Sequence, residues 1–128
     1  MKILINVSNH PSEGWSEEQK KGWDGIVDIQ FPAVDPGLNE KEIWALGGEL
    51  VRVIENKMAE NSTRYIMLQG EFSLCAVVQF LLSIHDGVVF CYPTTERKVT
   101  VEGDKKISIF RFKRWRMFDF SKIYKIKE

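Results

Sequence analysis

Residues 65–92 read YIMLQGEFSLCAVVQFLLSIHDGVVFCY, and this stretch decides the fold. Tyr65-Ile66-Met67-Leu68 is a short apolar run that ends at Gln69-Gly70-Glu71, and Val88 to Tyr92 is another. Between them, Phe72 to Ile84 is long enough for a helix and apolar on nearly every face, which predicts a deeply buried one. Gly87 stops it. Strand, helix and strand at this spacing form a βαβ unit, which implies a parallel sheet with the helix on its face.

The alternation continues upstream. Lys2 to Val7 is an apolar strand, broken by Ser8-Asn9-His10-Pro11-Ser12. A helix over about Trp15 to Asp24 follows, capped by Ser16 with Gln19 three residues on and ended by Gly25. Ile26 to Ile29 is a second strand. The next helix has Asn39 as N-cap, Glu40 and Glu42 at the positive end of its dipole, and Ile43, Leu46, Leu50, Ile54 and Met58 at helical spacing. Downstream the pattern changes. Val99 and Val101, the turn Glu102-Gly103-Asp104-Lys105 and the alternating run Ile107 to Phe112 predict a β-hairpin, with Pro93 to Arg97 as a loop before it. Four strands alternating with three helices, then a hairpin, predict one α/β domain over residues 1–128. Its expected form is a Rossmann-like three-layer sandwich with a mainly parallel central sheet and a C-terminal β-hairpin.

Composition agrees. The 128 residues are 44% hydrophobic and 28% charged, values of a globular chain. No apolar run approaches the roughly 20 residues that cross a bilayer, and the N-terminus turns polar too soon for a signal peptide. A soluble, cytoplasmic protein is expected. Cys75 and Cys91 lie in apolar runs, and with only His10 and His85 there is no metal-ligand spacing, so no cofactor is expected. The net charge of zero hides an imbalance: residues 1–96 carry 7 basic and 14 acidic side chains, residues 97–128 carry 11 and 4. A basic end of this kind suits an anionic partner, though it equally suits a solvated face.

Ligands of open α/β sheets bind outside the carboxyl ends of the strands. Three predicted loops leave those ends: Ser8-Asn9-His10, Gln69-Gly70-Glu71 and Pro93-Thr94-Thr95-Glu96-Arg97. The middle one opens into a helix, whose free N–H groups attract phosphate, and Gly70 would admit it closely. Thr94, Thr95 and Arg97 add hydroxyls and a forked cation. There is no GxGxxG, GxxxxGK[ST] or GxSxG, which counts against a dinucleotide cofactor, a P-loop ATPase and an α/β-hydrolase. A phosphate-bearing ligand held by backbone, hydroxyls and arginine is the expected occupant.

Ser8-Asn9-His10-Pro11, Asp28…Phe31-Pro32…Asp35-Pro36, Gly70-Glu71-Phe72, Thr94-Thr95-Glu96-Arg97 and Phe110-Arg111-Phe112-Lys113-Arg114-Trp115 occur in that order. Over residues 2–115 they resemble small CRISPR-associated proteins of type III systems, relatives of the Rossmann-like (CARF-type) domains that bind cyclic oligoadenylate. The resemblance implies a two-fold homodimer binding a ring of 3′–5′-linked adenylates, an antiviral second messenger. Some such proteins are metal-independent ring nucleases, in which a ribose 2′-hydroxyl attacks the adjacent phosphorus and leaves a 2′,3′-cyclic phosphate. The candidate site is then Ser8, Asn9, Gly70, Phe72, Thr94, Thr95 and Arg97 for the ligand, with His10 and Glu71 for proton transfer.

Each has a plainer reading. His10, Ser8 and Asn9 can simply shape a turn, Glu71 can cap its own helix, and Arg97 can pair with Glu96 or Asp86. Phe110 and Phe112 can face the core while Arg111 and Lys113 face water. The alternative function is a non-enzymatic module that binds linear RNA or a protein partner through Arg111, Lys113, Arg114 and Arg116.

Overall fold

The computed structural model describes residues 1–85 and 87–122. Its elements are β1 (Ile3–Ser8), a 3-10 turn (Ser12–Gly14), α1 (Glu17–Lys20), β2 (Gly25–Gln30), α2 (Glu40–Glu60), β3 (Tyr65–Leu68), α3 (Phe72–Leu82), β4 (Val89–Glu102) and β5 (Lys105–Phe118). The sheet has the order β2-β1-β3-β4-β5, with the first four strands parallel and β5 antiparallel to β4. This is the α/β class the sequence predicts.

Handedness distributes the layers. The chain leaves β1 toward β2, then crosses back past β1 to reach β3 and β4. Parallel crossovers are right-handed, so the connection that moves one way lies on the opposite face from those that move the other way. Accordingly α2 and α3 cover one face, around Ile5, Val7, Ile54, Ile66, Leu74, Val78, Leu82 and Phe90. The other face, around Leu4, Met67 and Cys91, is closed by Trp15 and Trp23 of the β1–β2 connection and by Trp115 and Met117 of β5. No helix among the described residues is long and apolar enough to cross a membrane.

Asn39 caps the helix as expected, accepting from the Glu42 N–H, and the Glu42 carboxylate also accepts from the Asn39 N–H, which completes a capping box. Its inward face is Ile43, Gly47, Leu50, Val51 and Ile54. Gly47 lets α3 come close, because a Cβ there would lie 2.5 Å from Val77 Cγ1.

Three expectations need correction. The first helix spans only Glu17–Lys20, with Ser16 capping Gln19 as expected. Gly22, at φ +91°, rather than Gly25, turns the chain so that Trp23 reaches the sheet. Second, α3 is not buried all round. Leu74, Val78 and Leu82 face inward, whereas Phe72, Phe80 and Ile84 are exposed. Third, Pro93 to Arg97 is not a loop but the middle of β4, which runs for 14 residues against a β5 of equal length. Proline is tolerated because β3 pairs with β4 only at Val89 and Phe90, so one edge of β4 is free from there on. The tight turn at Gly103 (φ +63°) follows Glu102 as predicted.

Gly47→Val is expected to lower stability to urea by about 1–3 kcal/mol through overpacking. Gly48→Ala, one residue along where a Cβ meets nothing within 4 Å, should raise it by roughly 0.5–1 kcal/mol.

Candidate functional site

The reversal of strand order falls between β1 and β3, the switch point at which sheets of this kind take ligands. A cavity of about 900 Å³ opens there, on the face carrying Trp15 and Trp115, at the upper end of the range for ligand pockets. Asn9 and His10 line it after β1, Met67 from β3 and Gln69 just after it, Pro93 and Thr95 from β4, Phe110 to Phe112 from β5, and Trp15 to Gln19 from the connection.

One wall is set by a buried polar cluster. Asn6 is 1% exposed on β1. Its Nδ2 donates to the His10 carbonyl (3.0 Å) and to Asp28 Oδ1 (2.9 Å), and its Oδ1 accepts from Ser8 Oγ (2.7 Å). Ser8 Oγ in turn accepts from the His10 N–H at 3.1 Å, and Asp28 accepts from the Ser12 N–H and hydroxyl. Trp15 Nε1 also donates to the His10 carbonyl, at 3.1 Å. The loop 9–12 is therefore held by its backbone. Among the described residues nothing hydrogen-bonds the His10 ring, which stays exposed at the cavity.

The opposite wall depends on an irregularity. Thr94 pairs with Arg114 but Thr95 pairs with Phe112, so Lys113 is an extra residue in β5. Strict alternation would put Phe110 and Phe112 on the opposite face from Trp115. The bulge returns them to Trp115's side, and the Phe112 and Trp115 rings meet at 5.7 Å. Phe110 and Phe112 thus line the cavity rather than the core, and Phe110 is 67% exposed. Trp115 ties this wall to the other, donating from Nε1 to the Gln19 carbonyl (3.1 Å) and packing on Trp15 (5.8 Å) and Trp23 (5.7 Å).

Of the residues singled out from the sequence, Asn9, His10 and Thr95 come together in the cavity. Ser8 is buried in the polar cluster. Gly70 lies against the buried Phe31 ring, which occupies the space a Cβ would need, so its missing side chain serves that contact. Glu71 caps α3, accepting from the Ser73 and Leu74 N–H groups and the Ser73 hydroxyl, and these bonds, the hydroxyl foremost, hold its carboxyl below the usual range. Phe72 is 92% exposed on α3, away from the cavity lining. Thr94 bonds the Arg114 backbone beside the bulge. Arg97 stands opposite Phe110, two pairs beyond Thr95–Phe112, and donates to Ser108 Oγ at 2.9 Å. Glu96 pairs with Lys113 at 3.8 Å, and Asp86 lies outside the described residues. Burial pushes the Cys91 thiol up to about 12, which keeps it protonated and inert.

Trp15, Glu17, Glu18 and Gln19 were not singled out, and Gln69 only as part of a loop. Their signal was faint: a tryptophan beside a capped helix reads as core.

A family model described as the uncharacterized protein MJ1673 family matches residues 2–116. The chain belongs to that family. The match takes in all five strands up to Arg116 and every residue lining the cavity. No curated protein and no solved structure matches the chain.

Asn6→Ala is expected to cost about 1–3 kcal/mol in urea unfolding, because Ser8 and Asp28 lose their common partner. A change below about 0.5 kcal/mol, the scatter of ordinary surface substitutions, would mean the cluster does not hold the loop.

Proposed function

We propose that the cavity binds a cyclic oligoadenylate, a dissolved cytoplasmic messenger, and opens it without a metal. The observation that carries this reading is the pairing of aromatic faces with side-chain amides at the β1/β3 switch point. Phe110, Phe112 and Trp15 offer surfaces for base stacking, worth about 1–3 kcal/mol per base. Asn9 and Gln69 carry amides, which match the donor and acceptor of the adenine N6/N7 edge. Glu17 and Glu18 line the connection side, where phosphate is disfavoured and an adenine amine or ribose hydroxyl is favoured. Phosphates therefore run toward the ribbon, where Arg111 lines the cavity and Arg97 stands opposite Phe110 at its edge.

In the ring-opening step the ribose 2′-oxygen bonds to phosphorus as the bond to the 5′-oxygen breaks. The proton leaves the 2′-hydroxyl and one is gained by the departing 5′-oxygen, so the products are a 2′,3′-cyclic phosphate and a 5′-hydroxyl, with no water consumed. His10 is the cavity's only imidazole among the described residues, and an imidazole can serve both transfers. Glu71 takes no part, since its carboxylate is engaged at the α3 cap.

A second reading has its own observation. Arg114 and Arg116 pair with Thr94 and Tyr92, positions that alternate with the cavity face, so these cations share the back of the ribbon, whereas Arg111 reaches the cavity. Linear RNA held there would dissociate steeply with added salt.

The test is incubation of the full chain with labelled cyclic tri-, tetra- and hexa-adenylate in excess chelator. Linear products ending in 2′,3′-cyclic phosphate are expected, slowed by His10→Ala on the order of 10²-fold or more. Phe112→Ala should weaken binding about tenfold or more. Bound but intact rings would reduce the protein to a binder, and rings neither bound nor cut would overturn the reading.

A further inference from the structure

The outward face of α3 is unlike the rest of the surface. Phe72 is 92% exposed, Phe80 58% and Ile84 69%. Phe72, Phe80 and Phe120 line one groove of about 470 Å³. Trp44 of α2 meets Phe80 edge-on at 5.9 Å, and Phe118 stacks on Phe120 at 5.8 Å. At roughly 150–250 Å² per aromatic side chain, the uncovered parts of these five rings come to on the order of 500 Å², and a bare apolar patch of that size marks a contact surface. Phe72 to Leu82 contains no charged side chain. The polar groups along it are already used: Ser73 Oγ donates to Glu71, Ser83 Oγ donates to the Phe80 carbonyl, and Gln79 Oε1 accepts from Tyr92. Such a face offers apolar contact and little of the hydrogen bonding that a protein partner recognises.

Cations border the patch. Phe90 and Tyr92 pack toward α3, and Tyr92 is bonded to it through Gln79. Their cross-strand partners Phe118 and Arg116 therefore stand on that side of the sheet, with Arg114 beside Thr94 two positions on. Both arginines are exposed, and among the described residues neither forms an ion pair. Beyond Phe120 the sequence adds Lys122, Lys125 and Lys127 against one acid, Glu128, the last three lying outside the described residues. The carboxylate next to Phe72, that of Glu71, is engaged at the α3 cap.

We propose that this face rests on the surface of an anionic lipid bilayer, with Phe72, Phe80 and Ile84 at the boundary of headgroups and acyl chains and Arg114 and Arg116 on the lipid phosphates. Reversible surface binding combines buried apolar side chains with cations in this way. With 11 residues, α3 is about 16 Å long, half the roughly 30 Å of a hydrocarbon core, so it lies along the bilayer and does not span it. Linear RNA has a use for the arginines, but an uncharged helix offers its phosphates no track. The cavity opens on the opposite face of the sheet, so membrane contact leaves it accessible, and the association holds whatever ligand the cavity takes.

The test is flotation of the full chain with vesicles of phosphatidylcholine alone and of an equal mixture with phosphatidylglycerol. Binding is expected to the mixture and not to phosphatidylcholine alone. Mixed vesicles with brominated acyl chains should quench Trp44, and Trp44→Phe should abolish the quenching, because Trp15, Trp23 and Trp115 pack on the other side of the sheet. Phe72→Glu, at an uncovered first helical position where a carboxylate suits the dipole, should keep the fold and weaken binding about tenfold or more. Arg116→Gln should weaken it about fivefold. A chain that ignores the mixed vesicles overturns the proposal, whether it then retains RNA or pairs with itself instead. So does binding that Phe72→Glu leaves unchanged, or binding in which Trp44 is not quenched.

Discussion

The structure depends on the rule that parallel crossovers are right-handed. With β1 inside the sheet and β2 and β3 on either side of it, the β1–β2 connection goes to one face and α2 with α3 to the other. That single constraint splits the loops at the strand ends and leaves a crevice between β1 and β3. It also makes the short connection, with only a four-residue helix, responsible for covering half of the sheet. Tryptophan supplies the bulk that length does not: Trp15 and Trp23 lie over Leu4 and Met67, and Trp115 reaches across to meet them.

The same face changes character along the strands. Toward their amino ends it presents Leu4, Tyr65 and Val89, which are covered by aromatic rings. Toward their carboxyl ends it presents Asn6, Ser8, Asp28 and Gln69, and there the β1–β2 connection and β5 border a cavity. A buried asparagine in a central strand costs stability unless each of its polar atoms has a partner. Asn6 meets that condition by binding the loop that forms the cavity wall, so one residue links the sheet interior to the site.

Much of this was legible in the sequence. The order of strand, helix and strand around α3, the Asn39 N-cap and the turn at Gly103 are local patterns, and each formed as read. What escaped was non-local. Whether Pro93 to Arg97 is loop or strand depends on a partner 20 residues away, and no period in the sequence marks Lys113 as a bulge. Without that bulge Phe110 and Phe112 belong to the wrong face, so the aromatic wall of the cavity could not be assembled from alternation alone. Gly70 was read as a ligand group because a turn into a helix resembles an anion site, and Glu71 as a proton-transfer group through the family resemblance. Their neighbours, the α3 N–H groups and the Phe31 ring, already use what those residues offer.

The central claim is that the cavity at the β1/β3 switch point is the ligand site. Amide and indole NMR spectra of the labelled chain, recorded as cyclic tetra-adenylate is added, test it most directly. The account predicts shifts at Asn9, His10, Gln69, Thr95, Phe110 and Phe112 and at the Trp15 indole N–H, with α2 silent. Shifts confined to the back of the ribbon, or to α3, or no shift with any ring size, would contradict it.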